Sequence, residues 1–375
     1  MKNPFVTNGY VSPEYFCDRE KETAKIVSLL MNENNIALIS PRRLGKTDLL
    51  RHCFGQPEIK EHYHSFIIDI YATSSVRDFV NVFGKAVLDE LRPKGKSVWS
   101  TFLNVLASLR SEITFDMNGQ PTWGIGLGAI TNPSATLDEI FSYLNNAGKP
   151  CLIAIDEFQQ ITKYTDDPNI EAALRTHIQR CSNAHFVFSG SHRHLMGAMF
   201  TSPARPFYQS VTLINLPPIS VDKYAEFCLK NFEQAGKRLD TLVVTELYER
   251  FNGITSYMQK VMNILFSMTG AGEICIPSMI DIAINDLLDF SADTYDALLY
   301  QMPEKQRIAF MAIAAEGKAK AISSGDFVRK YRLQSASSVS SAVKGLLEKD
   351  FITYDKGIYQ VYDQFFQLWL QRNKL

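Results

Sequence analysis

The apolar run Ile36-Ala-Leu-Ile-Ser40 passes without a spacer into Pro41-Arg42-Arg43-Leu44-Gly45-Lys46-Thr47, and that segment leads straight into Asp48-Leu-Leu-Arg51. A strand, a short loop holding one glycine, and the opening of a helix leave few fold classes open. An apolar run with no polar alternation is a strand covered on both faces, as in a parallel sheet between helices. Four further runs have the same character: Ser65 to Tyr71, Cys151 to Ile155, His185 to Ser189 and Val211 to Asn215. Helical stretches separate them, so residues 1–218 read as an α/β layer fold with a parallel sheet.

The loop has the chemistry of a phosphate cradle. Successive backbone N–H groups and a helix N-terminus converge on an anion there. Gly45 lets the backbone approach without a Cβ. Lys46 is placed to reach the β- and γ-phosphates, and Thr47 to offer its hydroxyl to Mg²⁺. The pattern GxxxxGK[ST] is met except at its first position, where Ser40 stands for Gly. A left-handed backbone at that position would strain a serine. Pro41, Arg42, Arg43, Leu44 and Asp48 complete the predicted nucleotide-binding segment. Arg42 and Arg43 are each suited to a phosphate or to another domain.

The second signal is Pro150-Cys-Leu-Ile-Ala-Ile-Asp156-Glu157, a buried strand ending in two carboxylates. Asp156 at the strand end can hold the Mg²⁺ shell with Thr47. Glu157 can take a proton from, or position, an attacking water. Asp69, near the end of the second run, reads as a polar residue at the edge of the core. His192-Arg193-His194 has no third ligand at a metal-binding spacing.

Between the second and third runs lies an insertion of about residues 93–135. Within it, Glu112 to Met117, Asn118-Gly119, and Gln120 to Leu127 read as a β-hairpin, Asn-Gly supplying the positive φ of a tight turn. Leu216-Pro217-Pro218 closes the sheet pattern. Residues 219–295 then read as a small helical domain. From 296 to 375 the pattern gives helices over Arg307–Ala315, Ser324–Tyr331 and Ser335–Lys349. Two short strands follow, split at Asp355-Lys356-Gly357. Three helices and a hairpin make a winged helix-turn-helix.

Composition sets the limits. A length of 375 residues suits two or three domains, and 46% hydrophobic residues exclude a disordered chain. With 39 Lys and Arg against 40 Asp and Glu, a nucleic-acid surface would have to be local. Residues 296–375 hold twelve Lys and Arg against eight Asp and Glu. No apolar run reaches a membrane-spanning length and the first residues lack an apolar signal core. The six scattered cysteines fit reduced thiols in the cytoplasm.

The Ser40–Thr47 loop and the Leu152–Glu157 strand resemble the Walker A and Walker B motifs of AAA+-type ATPases, and more narrowly those of the archaeal, STAND-like P-loop ATPases. Further resemblances follow in family order along nearly the whole chain. Phe16-Cys-Asp-Arg19-Glu20 is similar to the F-x-G-R-E box beside the adenine, with Asp18 in place of Gly. Phe186 to Ser191 resembles the strand ending in a polar sensor. Ser202-Pro-Ala-Arg205 resembles a shortened S-P-L-x-x-R stretch. Phe251 to Tyr257 resembles the G-G-I-P-x-Y segment, with Thr255 for Pro, and Gln360 to Trp369 a D-P-F-x-x-x-W ending.

The resemblance implies an AAA+-like P-loop NTPase core, a helical lid and a winged helix, with ATP and Mg²⁺ as ligands. It implies nucleotide contacts at Arg19, Ser189 and Tyr257. Ser189 or Ser191 can sense the γ-phosphate or simply form a turn. Arg205 is either an arginine finger acting across a homo-oligomer or a surface residue. Two functions remain open: an ATPase whose hydrolysis switches the winged helix, and a nucleotide-stabilised adaptor with little turnover. In either, the winged helix meets double-stranded DNA or a protein.

Overall fold

The computed structural model describes residues 2–91, 113–115, 121–123, 130 and 132–374. The chain divides into two compact units, Asn8–Lys223 and Met1–Thr7 joined with Tyr224–Leu375.

The described strands of the first unit are β1 (Ile36–Ile39), β2 (His64–Asp69), β3 (Ile113–Phe115), β4 (Pro121–Trp123), β5 (Cys151–Asp156), β6 (Ala184–Gly190) and β7 (Thr212–Asn215). Five of these form one parallel sheet in the order β2-β5-β6-β1-β7. They are the five apolar runs of the sequence. The three inner strands are buried along their whole length, while the edge strands β2 and β7 are partly exposed. That difference follows from position, since only an inner strand has neighbours on both sides.

Alternate residues of β1 enter opposite cores, as the period of two in a strand requires. Ile36 and Leu38 pack with Ile26, Leu30, Leu49 and Leu50, from helices Glu20–Met31 and Lys46–Phe54. Ala37 and Ile39 pack in the core that contains Phe79, Phe83, Ile140 and Leu174 from helices Val76–Glu90, Pro133–Asn145 and Ile170–Arg180. Helices thus cover the sheet on both faces.

The strand order decides what can meet. β6 lies between β1 and β5, so the loop strand and the carboxylate strand stand about 10 Å apart at two strand spacings. All five strands run the same way. The ends of β1, β5, β6 and β2 therefore open on one edge, where ligands bind in open α/β sheets.

In the insertion, β3 and β4 pair antiparallel with Ile113 opposite Trp123 and Phe115 opposite Pro121. The Asn118-Gly119 turn expected to join them lies outside the described residues.

In the second unit, helices Thr241–Arg250, Thr255–Met268, Met279–Phe290 and Ala292–Gln301 follow one another. The region is not wholly helical: β8 (Arg238–Leu239) and β9 (Ile274–Cys275) make a short parallel pair. Phe5, fully buried, packs its ring against Phe227, Phe232 and Phe266. Asn263 donates to the Phe5 carbonyl at 2.7 Å and Asn3 to the Asn263 carbonyl at 2.8 Å.

Helices Glu304–Glu316, Gly325–Lys330 and Ala336–Glu348 then lead to a three-stranded sheet. β10 (Ala319–Lys320) pairs with β12 (Ile358–Val361), which pairs with β11 (Ile352–Asp355). β10 is a third strand beyond the expected hairpin. Serine hydroxyls open two of the helices, Ser324 accepting from the Phe327 N–H and Ser335 from the Ser338 N–H. Asp355 pairs with Ile358 across Lys356 (φ 47°) and Gly357 (φ 83°), the two positive angles of a type I′ turn. Helix Gln364–Asn373 ends the unit. No helix among the described residues is long and apolar enough to cross a membrane.

Candidate nucleotide site

Ser40 leaves β1 fully buried, and its hydroxyl donates to the Pro41 carbonyl at 3.0 Å. It does not take a left-handed backbone, so replacing Gly there carries no strain. The positive φ angles of the loop fall at Arg43 (70°) and Gly45 (82°). A Cβ built on Gly45 would meet none of the described residues within 4 Å, so glycine serves there for its backbone angle. Leu44 is buried.

Lys46 opens the helix and folds back over its own loop, Nζ donating to the Ser40 and Pro41 carbonyls at 3.2 and 3.4 Å. The side chain is 6% exposed. Burial pushes its pKa below the usual lysine value, with Asp156 and Glu157 pulling the other way and Arg42 adding to the fall.

Thr47 Oγ1 donates to Asp156 Oδ2 at 2.5 Å, joining the loop to the end of β5. Asp156 Oδ1 accepts from the Glu157 N–H at 3.0 Å. A hydroxyl and a carboxylate are hard oxygen donors. They suit Mg²⁺, which is held by one or two carboxylates together with substrate phosphates and water. Among the described residues no cluster of three His, Cys, Asp or Glu forms an all-protein metal site, His192 and His194 included.

Glu157 sits in the left-handed region at φ 55° and ψ 40°. Such a pose costs a non-glycine residue on the order of 1 kcal/mol and persists only where surroundings enforce it. Here they do. Ser191 donates to Glu157 Oε2 at 2.7 Å, and Gln159 Nε2 donates to the same oxygen. Arg42 Nε lies 3.7 Å from Oε1 and donates to Ser191 Oγ at 3.1 Å. The Arg42 guanidinium also lies 5.2 Å from the centroid of the Tyr71 ring. Tyr71, Gln159 and this role of Ser191 carry no motif of their own.

Ser189, next to the end of β6, is fully buried, and its hydroxyl has no hydrogen-bond partner among the described residues. Asp69 stands opposite Asp156 in register. Burial raises its pKa first, and the Asp156 and Glu157 carboxylates add to the rise. It stands at the end of the edge strand β2, with these acidic neighbours across the sheet. Asp48 is likewise pushed up by burial.

Arg19 is 3% exposed, and its guanidinium donates to Glu22 and to the Pro217 carbonyl, both at 2.8 Å. Asp18 and Arg19 are both left-handed, at φ 55° and 78°, a backbone that a glycine would take without strain. Beside them Phe16 stacks on His52 at 4.4 Å, and Tyr10 bonds His52 Nδ1 at 3.0 Å. This aromatic group is held against the helix that begins at Lys46.

Arg205 pairs with Glu171 of its own chain. Tyr257 belongs to the second unit, where its hydroxyl donates to the Tyr362 carbonyl at 3.2 Å and accepts from the Gln364 N–H at 3.0 Å.

A parallel sheet with this loop, this strand order and paired carboxylates on its C-terminal edge is that of a P-loop ATPase. A family model described as an ATPase domain predominantly from Archaea matches residues 16–261, and one described as a probable winged helix domain matches 293–372. The chain belongs to that archaeal ATPase-domain family and carries a C-terminal winged helix domain. No protein of curated function matches it in sequence.

Among solved structures, a Walker-type ATPase of Pyrococcus abyssi is similar over 98% of this chain and 99% of its own, at 17% identity and a TM-score of 0.63. The ORC1 protein of Aeropyrum pernix in complex with DNA is similar over 96% and 94%, at 13% identity and 0.54. The ORC2 protein of Aeropyrum pernix, in ADPNP–ADP complexes, is similar over 99% and 98%, at 12% identity and 0.54. At these identities the likeness is one of fold.

Proposed function

We propose that the chain binds ATP with Mg²⁺ and hydrolyses it to ADP and phosphate, and that this drives a switch felt by the winged helix. The observation that carries the reading is the Thr47–Asp156 bond with Glu157 adjacent: metal donors and a base on one sheet edge, beside a lysine-bearing loop. Residues 40–48 cradle the phosphates, Lys46 exchanging its carbonyl partners for phosphate oxygens. Thr47 and Asp156 hold Mg²⁺, which neutralises charge on the phosphate oxygens. Glu157 accepts a proton from water as the water oxygen bonds to the γ-phosphorus. The bond from that phosphorus to the bridging oxygen breaks, and ADP leaves with its electron pair. Ser189, with its buried hydroxyl, is suited to report on the terminal phosphate. The Phe16–His52 stack lies on the loop helix, and the adenine is proposed to bind beside it and Arg19. The same reading divides the chain into an ATPase core (1–218), a helical lid (219–295) with Tyr257, and a winged helix (296–375).

A second reading, an adaptor with slow turnover, draws on two observations. Glu157 is already engaged by other side chains, and Arg205 is held by Glu171 in its own chain rather than offered to a neighbour. Double-stranded DNA is the proposed partner of the winged helix, on its local excess of positive charge and the likeness to a DNA-bound ORC1 fold. Steady phosphate release from purified protein over many turnovers, absent from Lys46→Ala, supports the ATPase. A single burst of at most one phosphate per chain, with and without duplex, supports the adaptor.

A further inference from the structure

The Glu157 carboxylate is surrounded from three directions. Gln159 comes from its own strand end, Ser191 from the end of β6, and Arg42 from the phosphate loop on β1. Both donors converge on Oε2. Oε1 faces a guanidinium at 3.7 Å, too far for a good hydrogen bond and close enough for strong attraction at a site where Glu157 and Arg42 are 15% and 20% exposed. A water that is to lose a proton to Glu157 must therefore compete with Arg42 for Oε1.

Arg42 has a second destination. It lies four residues before Lys46 in the loop that would wrap the phosphates. A guanidinium binds phosphate oxygens in a bidentate fork, more strongly than it holds a carboxylate at 3.7 Å. Its other contacts include a hydrogen bond to the Ser191 hydroxyl and a face on the Tyr71 ring.

We propose that Arg42 is a positioning residue that exchanges Glu157 and Ser191 for the terminal phosphate of ATP, so that the base is released only when a γ-phosphate is present. This rests on the ATPase reading above. ADP lacks the competing group, so Arg42 stays with Glu157 when ADP is bound. Arg42 then does two jobs that a merely structural arginine would not. It sets the preference for ATP over ADP, and it couples that preference to the availability of the base.

The test measures affinity of the full-length chain for ATP and for ADP, each with Mg²⁺, together with single-turnover hydrolysis, in wild type, Arg42→Ala, Arg42→Lys and Ser191→Ala. Arg42→Ala should lose about tenfold or more in ATP affinity relative to its ADP affinity, one charge-assisted contact being worth roughly that factor. Arg42→Lys should recover part of the ATP affinity, because it keeps the charge and loses the fork. Ser191→Ala should leave the ATP-to-ADP ratio near wild type while changing the hydrolysis rate. Equal changes for the two nucleotides in Arg42→Ala, or none, overturn the proposal and leave the ATPase reading intact. If wild type binds neither nucleotide, both fall.

Discussion

The Thr47 hydroxyl donates a 2.5 Å hydrogen bond to Oδ2 of Asp156 across 109 residues of sequence. The helix that follows β1 and the phosphate loop is thereby joined to the end of β5, two strands away in the sheet. Their joint offers a hydroxyl and a carboxylate to one point.

If that joint holds Mg²⁺, nucleotide affinity depends on it. Wild type should bind ATP more weakly by about tenfold or more after chelation of Mg²⁺, the worth of one charge-assisted contact to phosphate. Asp156→Asn should show a much smaller difference between the two conditions. Fluorescent-nucleotide titrations with Mg²⁺ and with EDTA measure both.

The buried lysine gives a pH signature. Burial holds the Lys46 pKa below 10.5, and phosphate oxygens favour its charged form and pull it back up. Between the free and bound values, binding takes up protons, so ATP affinity falls as pH rises through that interval. For folding the sign is the reverse. The unfolded chain holds this proton more tightly, so this group favours folding increasingly as pH rises from the folded pKa toward the ordinary value. Calorimetry at about pH 9.5, a unit below the ordinary lysine value, in two buffers of different ionisation enthalpy, should show proton uptake.

Glu157→Gln keeps the size and the left-handed position but cannot take a proton. ATP should bind within a few-fold of wild type, while single-turnover hydrolysis falls by about 100-fold or more, the usual worth of a general base. An unchanged rate would remove Glu157 from that role.

Gly190 is needed for space. A Cβ there would lie 2.4 Å from Gln159 Oε1 and 2.5 Å from Cγ and Sδ of the fully buried Met196. Gly190→Ala should cost about 1–3 kcal/mol by overpacking, read as a lowered urea midpoint at constant slope. Because Gln159 is also a partner of Glu157, hydrolysis should fall in the same variant.

Replacing Lys344, Lys349 and Lys356 together by Ala should abolish most duplex binding. Lys344 lies 4.0 Å from Glu348, and Lys356 stands on the exposed wing turn. With few phosphate contacts, log affinity should fall shallowly with log salt, about 0.9 per contact. Binding unchanged in the triple variant at ~50 mM salt, where phosphate contacts are strong, would assign this domain to a protein partner.

All five strands of the parallel sheet are legible as apolar runs, the three inner ones because strands buried on both faces leave no polar alternation. The loop and the carboxylate pair are legible because each lies within one short segment. What joins them is not. The contacts of Arg42 with Ser191 and Glu157 depend on β6 lying between β1 and β5, and strand order is a property of tertiary packing. Asp69 reads as an edge residue in the sequence because its neighbour Asp156 is adjacent only across the sheet. Phe5 is unreadable in the same way, since its partners begin with Phe227, in the other half of the chain.

The placement of Phe5 changes how the chain would come apart. The nucleotide-binding unit is an internal excursion, leaving the other unit at Thr7–Asn8 and re-entering it at Lys223–Tyr224. A protease cut at the second crossing yields two fragments, yet the larger remains anchored, because its first residues are sealed among Phe227, Phe232 and Phe266. A second cut, at the first crossing, releases that anchor. Trimming Met1–Thr7 from the start would thus open a hole in the body at the far end of the sequence and leave the ATPase sheet itself untouched.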